Sequence, residues 1–203
     1  MKKMFLASSF KDVVDQFKEF TDESLKGKTI TFIPTASIPE KVVHYVYSAK
    51  DEFQKLGVII QELDISTAPQ LEIKEKLIHN DYIYVSGGNT FFLLQELRKT
   101  GADKIIIEQV NSGKLYIGES AGAMITSPNI EYAKFLDDKS KAIDLKNYDG
   151  LNLIKGYPVP HYQNEPFKKA VSNLINYYDS HLDLIPFSNS QAIQVVKNNL
   201  TVV

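Results

Sequence analysis

A chain of 203 residues that is 43% hydrophobic and 24% charged has the size and composition of one well-buried globular domain. Its 23 lysines and arginines against 25 aspartates and glutamates leave a net charge of -2, which argues against the basic footprint of a nucleic-acid binder. With no cysteine the chain can form no disulfide, thiolate metal site or thiol nucleophile, a usage that suits a reducing cytoplasm. No apolar run is long enough to span a bilayer, so no membrane partner is expected.

Met4 to Ser8 reads as a first buried strand rather than a signal peptide, because the short apolar stretch after Lys2 and Lys3 runs straight into Lys11 and Asp12. Asp12 to Phe20 follows as an amphipathic helix with Val13, Phe17 and Phe20 on one face. Thr29 to Pro34 is a buried strand. Ser37 and Pro39 signal a helix start, with Val42, Val46, Ala49, Phe53 and Leu56 at helical spacing and Gly57 closing the helix. Val58 to Leu63 is the next strand, Leu71 to Asn80 a helix and Tyr82 to Val85 a strand. The loop Ser86-Gly87-Gly88-Asn89-Thr90 feeds a helix from Phe91 to Lys99, and a further helix from Ala102 to Asn111 leads to the strand that begins at Leu115. Strand and helix alternate throughout, the pattern of a parallel sheet covered by helices on both faces. Such sheets place ligands at the carboxyl ends of their strands, where the Ser86 to Thr90 loop and Ser120 both fall.

Beyond Ser120 the pattern loosens. Pro128 ends a short helix, and the polar stretch 131–150 fits either a flap over the site or a solvated loop. Leu153 to Pro160 leads to His161, and Phe167, Ala170, Val171, Leu174, Ile175 and Tyr178 mark another amphipathic helix. Leu184 to Phe187, Gln191 to Val196 and Leu200 to Val203 read as strands, the last two as a hairpin across Lys197-Asn198-Asn199. With no repeat or linker in sight, residues 1–203 are expected to form a single domain.

The segment Gly118-Glu119-Ser120-Ala121-Gly122 matches G-x-S-x-G, the pattern of a strand that turns sharply at one strained serine and starts a helix. The glycines relieve the tight turn, and the Ala121 N–H would point at an oxyanion beside Ser120. A serine nucleophile needs a base. His44 sits within a helical run, His79 at a helix end and His181 in a connection, all places where a histidine needs no catalytic purpose. His161 differs, because Tyr157-Pro158-Val159-Pro160 gives it a rigid extended approach and a polar loop follows. Gly87-Gly88 with Asn89 and Thr90 exposes backbone donors at a helix N-terminus, suited to an oxyanion or a substrate carboxylate. No phosphate-loop lysine follows, and no metal-ligand spacing occurs, so neither nucleotide, cofactor nor metal is expected.

Taken together, Ser86-Gly87-Gly88-Asn89-Thr90-Phe91, Gly118-Glu119-Ser120-Ala121-Gly122-Ala123 and Pro160-His161-Tyr162 make the chain resemble the peptidase E family of serine peptidases, which includes aspartyl dipeptidases and, more distantly, cyanophycinases. The resemblance implies a flavodoxin-like α/β fold akin to class I glutamine amidotransferases, with serine where those enzymes place cysteine. It implies Ser120 as nucleophile, His161 as base and an oxyanion hole from the backbone of Gly88 and Ala121. It also implies a short peptide substrate, with dipeptides beginning in Asp as the family example.

The family's acidic third member falls at a position that here is Asn189, in Phe187-Ser188-Asn189-Ser190. An amide can orient an imidazole through its oxygen but stabilises the imidazolium less than a carboxylate does. Asp137 or Asp138 are the alternatives. The same substitution opens a second reading, a catalytically weak or silent relative that binds a peptide or metabolite, beside that of another acyl hydrolase such as an esterase or amidase. A symmetric homodimer is expected only from how common such dimers are.

Overall fold

The computed structural model describes residues 1–203. Its strands and helices in chain order are β1 (Lys3–Ala7), α1 (Val14–Thr21), β2 (Thr29–Ile33), α2 (His44–Lys55), β3 (Ile59–Glu62), α3 (Gln70–His79) and β4 (Tyr82–Val85). There follow α4 (Thr90–Thr100), α5 (Ala102–Ser112), β5 (Leu115–Glu119), α6 (Ala121–Met124), β6 (Tyr157–Val159), α7 (Lys168–Tyr178), β7 (Leu184–Pro186), β8 (Ala192–Val196) and β9 (Asn199–Val202).

Seven strands form one sheet in the order β3-β2-β4-β5-β1-β8-β9. The first five of these run parallel, and β8 and β9 close the far edge antiparallel. Every residue of β4 and β5 is buried, as the apolar runs of a strand covered on both faces require. Side chains alternate between two cores. Met4, Leu6, Ile83 and Val85 point into the larger, packed by α3, α4, α5 and α7, whereas Phe5, Ala7, Tyr82 and Tyr84 point into the smaller, packed by α1 and α2. The architecture is the expected flavodoxin-like α/β class, with helices on both faces of a mostly parallel sheet. No helix is long and apolar enough to cross a membrane.

Four expectations shift on contact with tertiary structure. The helix expected from Ser37 begins only at His44, because the Ser37 hydroxyl bonds back to the Pro34 carbonyl instead of capping the amides ahead, leaving Thr35–Ser37 as a 3-10 turn. Similarly, α1 starts at Val14 after a 3-10 turn over Phe10–Val13. The stretch 184–187 does not join the main sheet. Instead β6 and β7 pair in a separate two-stranded parallel sheet, as suits strands containing Pro158 and Pro186, which have no N–H to offer a central ladder.

The stretch 131–150 divides: residues 131–137 pack against the protein, whereas most of 138–149 is exposed, as expected of a solvated loop. Ile130, Tyr132 and Ala133 are fully buried, the Tyr132 hydroxyl donates to the Pro158 carbonyl at 2.8 Å, and Asn129 bridges to Asp149. The packed part leads Leu136, Asp137, Asp138 and Lys141 to the wall of the cleft above Ser120.

Candidate active site

Three central strands, β4, β5 and β1, end side by side, and each delivers one part of the site. β5 ends at Glu119, and Ser120 turns the chain into α6 with φ 49° and ψ −103°, a left-handed conformation that a non-glycine residue adopts at a cost of about 1–3 kcal/mol. The turn is locked from both sides. The Ser120 N–H donates to the Ala7 carbonyl of β1 at 2.8 Å, and its carbonyl accepts from Ala123 and Met124. Gly118 and Gly122 are required by space. A Cβ on Gly118 would lie 2.3 Å from the Gly122 carbonyl oxygen, and one on Gly122 would lie 2.2 Å from the Val85 carbonyl oxygen. The elbow therefore packs backbone against backbone on β4 and β5, with the Tyr116 hydroxyl donating to the Gly122 carbonyl at 2.7 Å.

β4 ends in the Gly87-Gly88 loop. A Cβ on Gly87 would touch Ser120 Cβ at 3.3 Å, so this loop lies against the serine. Gly88 has φ 134°, and a Cβ there would strike the Ala36 carbonyl oxygen at 2.1 Å. Ala121 contributes the first amide of α6, which has no acceptor within the helix. The two donors expected to face a substrate further along this loop are spent inside the protein. Asn89 caps α4 by accepting from the Phe92 N–H at 3.0 Å and donates to the Asp138 carbonyl, and the Thr90 N–H donates to Asp137 Oδ2 at 2.9 Å.

Beyond β6, His161 takes φ 63° and aims its ring at the serine. Ser120 Oγ and His161 Nε2 are 2.9 Å apart, and His161 Nδ1 is 2.9 Å from Asn189 Oδ1. With the amide oxygen toward it, Nδ1 carries the ring proton and Nε2 offers its lone pair to the serine hydroxyl. Burial pushes the His161 pKa below the ordinary histidine value, partly offset by the Asn189 hydrogen bond, so the ring is neutral at pH 7. Phe167 stacks on the imidazole with centroids 4.6 Å apart, and Asn164 accepts from the Asn189 N–H at 2.9 Å.

Sequence reasoning missed Ser8, at the end of β1. Its hydroxyl accepts from the His161 N–H at 3.0 Å and donates to the Phe187 carbonyl at 3.1 Å, tying the histidine loop and the Asn189 loop to the sheet. The polar pair Ser8-Ser9 at the end of an otherwise apolar strand was the available signal. Glu119 was also passed over. Fully buried beneath the elbow, its carboxylate accepts from the Phe10 N–H at 2.8 Å and the Tyr84 hydroxyl at 2.5 Å, and burial pushes its pKa up to about 7.

Of the alternatives for the third position, Asp137 bonds Thr90, and the exposed Asp138 accepts from the Ser140 N–H. The imidazole is oriented by Asn189 instead. His44, His79 and His181 are all exposed and take no part in this chain of bonds, although His44 lies on the wall of the cleft. The cleft above Ser120 has a volume of about 640 Å³. No group of three or more histidines, aspartates or glutamates has metal-site geometry.

An α/β sheet with a serine elbow and an adjoining histidine defines the class of the serine hydrolases. The family model for peptidase family S51 matches residues 4–203, and the chain belongs to that family: it is a serine peptidase. Among its relatives, an uncharacterized peptidase of Listeria monocytogenes is 54% identical over 193 residues, covering 95% of this chain and 94% of its own. One from Pasteurella multocida is 52% identical over 201 residues, covering 99% of this chain and 96% of its own. Peptidase E of Salmonella arizonae is 33% identical over 137 residues, 68% of this chain and 56% of its own. A crystal structure of a candidate peptidase E protein from Listeria monocytogenes superposes with a TM-score of 0.96 at 52% identity, covering 100% of this chain and 98% of that one.

Proposed function

We propose that the protein is a serine exopeptidase of short peptides, with Ser120 as nucleophile, His161 as base and Asn189 as the residue that orients the imidazole. The observation that carries this reading is the 2.9 Å approach of Ser120 Oγ to a neutral His161 Nε2 at the floor of an open cleft. As the serine oxygen attacks the scissile carbonyl carbon, its proton passes to Nε2 and the carbonyl oxygen becomes an oxyanion, for which the N–H groups of Gly88 and Ala121 are the donors. Collapse of the tetrahedral intermediate breaks the C–N bond, and the imidazolium gives its proton to the departing amine. Water, deprotonated by the same Nε2, then clears the acyl-enzyme and restores the serine.

Dipeptides beginning in Asp are the example that the resemblance to the peptidase E family offers for the substrate. The lack of cysteine supports a cytoplasmic location, and a homodimer and single-domain behaviour are both expected of the chain in solution. A second reading, a relative that binds peptides without turning them over, draws its support from the neutral amide at position 189. Exposing the protein to a serine-reactive phosphonate and locating the adduct by mass spectrometry separates the two. Labelling of Ser120 that disappears in His161→Ala is the expected result, and an unlabelled parent overturns the catalytic reading.

A further inference from the structure

The helix N-terminus at α4, which the loop sequence suggested for a substrate carboxylate, is already filled by a carboxylate of the protein itself. Asp137 Oδ2 accepts the Thr90 N–H, and the ionised group retains acceptor capacity on a side chain that lines the cleft. Glu40, itself exposed, lines the same cleft, and its charge is felt by both Asp137 and the Tyr45 phenol. Burial lifts Asp137 to about 6 and pushes Tyr45 well up, with Glu40, Glu119 and Asp137 all adding to the rise at Tyr45. These groups share one electronegative corner, and the ring of Tyr45 ties it to the nucleophile by lying 3.4 Å from where a Gly87 Cβ would stand.

The rest of the cleft does not compensate. Its walls carry Asp12, Asp138 and Glu165 as well, against the lysines Lys11 and Lys141, which are exposed at the rim. The single arginine, Arg98, is spent on Asn147 and on the Asp149 carbonyl, far along α4 from the loop that faces Ser120. An aspartyl side chain entering this corner would meet carboxylates with no buried cation to balance it.

We propose that Asp137 and Glu40 receive the free α-ammonium group of the substrate, so that the enzyme takes short peptides with an unblocked N-terminus and a neutral or basic first side chain, and disfavours Asp there. The geometry suits an exopeptidase. Asp137, held on the Thr90 N–H, lines the same cleft as Gly88 and Ser120, so its carboxylate opens onto the space that the scissile group enters. In a peptide cut after its first residue, the ammonium is carried by the Cα next to that carbonyl. This assignment rests on the serine-peptidase reading above and names the substrate class for the same cleft.

The test is calorimetric titration of full-length Ser120→Ala protein with Ala-Ala, Lys-Ala, Asp-Ala and N-acetyl-Ala-Ala, which measures recognition without turnover. Ala-Ala and Lys-Ala are expected to bind at least about tenfold more tightly than Asp-Ala and the acetylated peptide. Adding Glu40→Gln or Asp137→Asn is expected to shrink that preference for the free amine severalfold. Glu40 is exposed, so its substitution carries the test if Asp137→Asn does not fold. Equal binding of free and acetylated dipeptides, tightest binding of Asp-Ala, or no binding of any of the four overturns the proposal. Phosphonate labelling of Ser120 in the parent is read separately, so a labelled serine with indifferent binding condemns the substrate assignment alone, whereas an unlabelled one condemns the peptidase reading.

Discussion

His161 Nδ1 meets the side-chain oxygen of Asn189 at 2.9 Å, so the imidazole facing Ser120 is held by a neutral amide while the Asp137 carboxylate is turned to the start of α4. This arrangement holds the tautomer that the serine needs but offers the imidazolium no counter-charge.

Asn189→Asp is therefore expected to raise kcat/KM by at least about tenfold and to move the acid limb of the pH profile upward, because a facing carboxylate favours protonated histidine. Asn189→Ala is expected to lower kcat by about a hundredfold through loss of the tautomer. Steady-state kinetics across pH 5 to 9 reads both; an unmoved limb in the aspartate variant would place the imidazole under some other control.

In the parent protein the pKa of His161 lies below the usual histidine value of about 6.5, with burial as the principal cause. The base must be unprotonated to act, so kcat/KM is expected to rise with pH and to reach half its plateau below pH 6.5. A half-point above pH 7 contradicts this.

Ser8→Ala removes a hydroxyl that bonds the His161 amide and the Phe187 carbonyl together. Leaving both partners unsatisfied costs about 1–3 kcal/mol of stability. Because the loop it anchors carries His161, the proposed base, kcat is expected to fall by about ten- to a hundredfold, with KM nearly unchanged. Thermal melts and kinetics on one preparation separate the two effects.

Glu119 links stability to pH. Its carboxyl titrates near 4.5 when unfolded and at about 7 when folded, so the folded state binds the proton more tightly and rising pH removes stability across that window. Below about pH 4.5 the contribution is fully present, and above about 7 it is gone. Glu119→Gln, with no proton to lose, is expected to show a smaller drop in Tm from pH 5 to 7.5 than the parent. An equal drop in both would assign the pH dependence to other groups.

Gly122→Ala brings a methyl group to 2.2 Å from the Val85 carbonyl oxygen, backbone that cannot move without opening the sheet. The expected cost is about 3 kcal/mol or more, seen as a lower denaturation midpoint together with lost activity. Near-parent stability would mean that the elbow can open.

Much of the fold was legible because apolar periodicity is a local property. β4 falls where its residues predict, at Tyr82–Val85, and α5 begins at Ala102 as expected. The start of α2 moved through a local bond, from the Ser37 hydroxyl to the Pro34 carbonyl, and the other shifts came through contacts distant in sequence. Phe10, ahead of α1, is held by the carboxylate of Glu119, and the prolines of β6 and β7 set these strands apart in a sheet of their own.

For the site, the sequence by itself determined which chemistry was on offer. The G-x-S-x-G spacing, the glycine pair at residues 87 and 88 and the histidine after Pro160 follow from what a tight turn, a close backbone approach and an extended lead-in demand of residue type. Only the tertiary structure decided how those parts meet. It brought Asn189 rather than Asp137 to the imidazole, made Ser8 a clamp across 153 residues of chain, and put Asp137 at the helix end where a substrate carboxylate had been expected. Hydrogen bonds between loops depend on distances of a few tenths of an ångström set by the whole packed sheet, and no local pattern of residues encodes those distances.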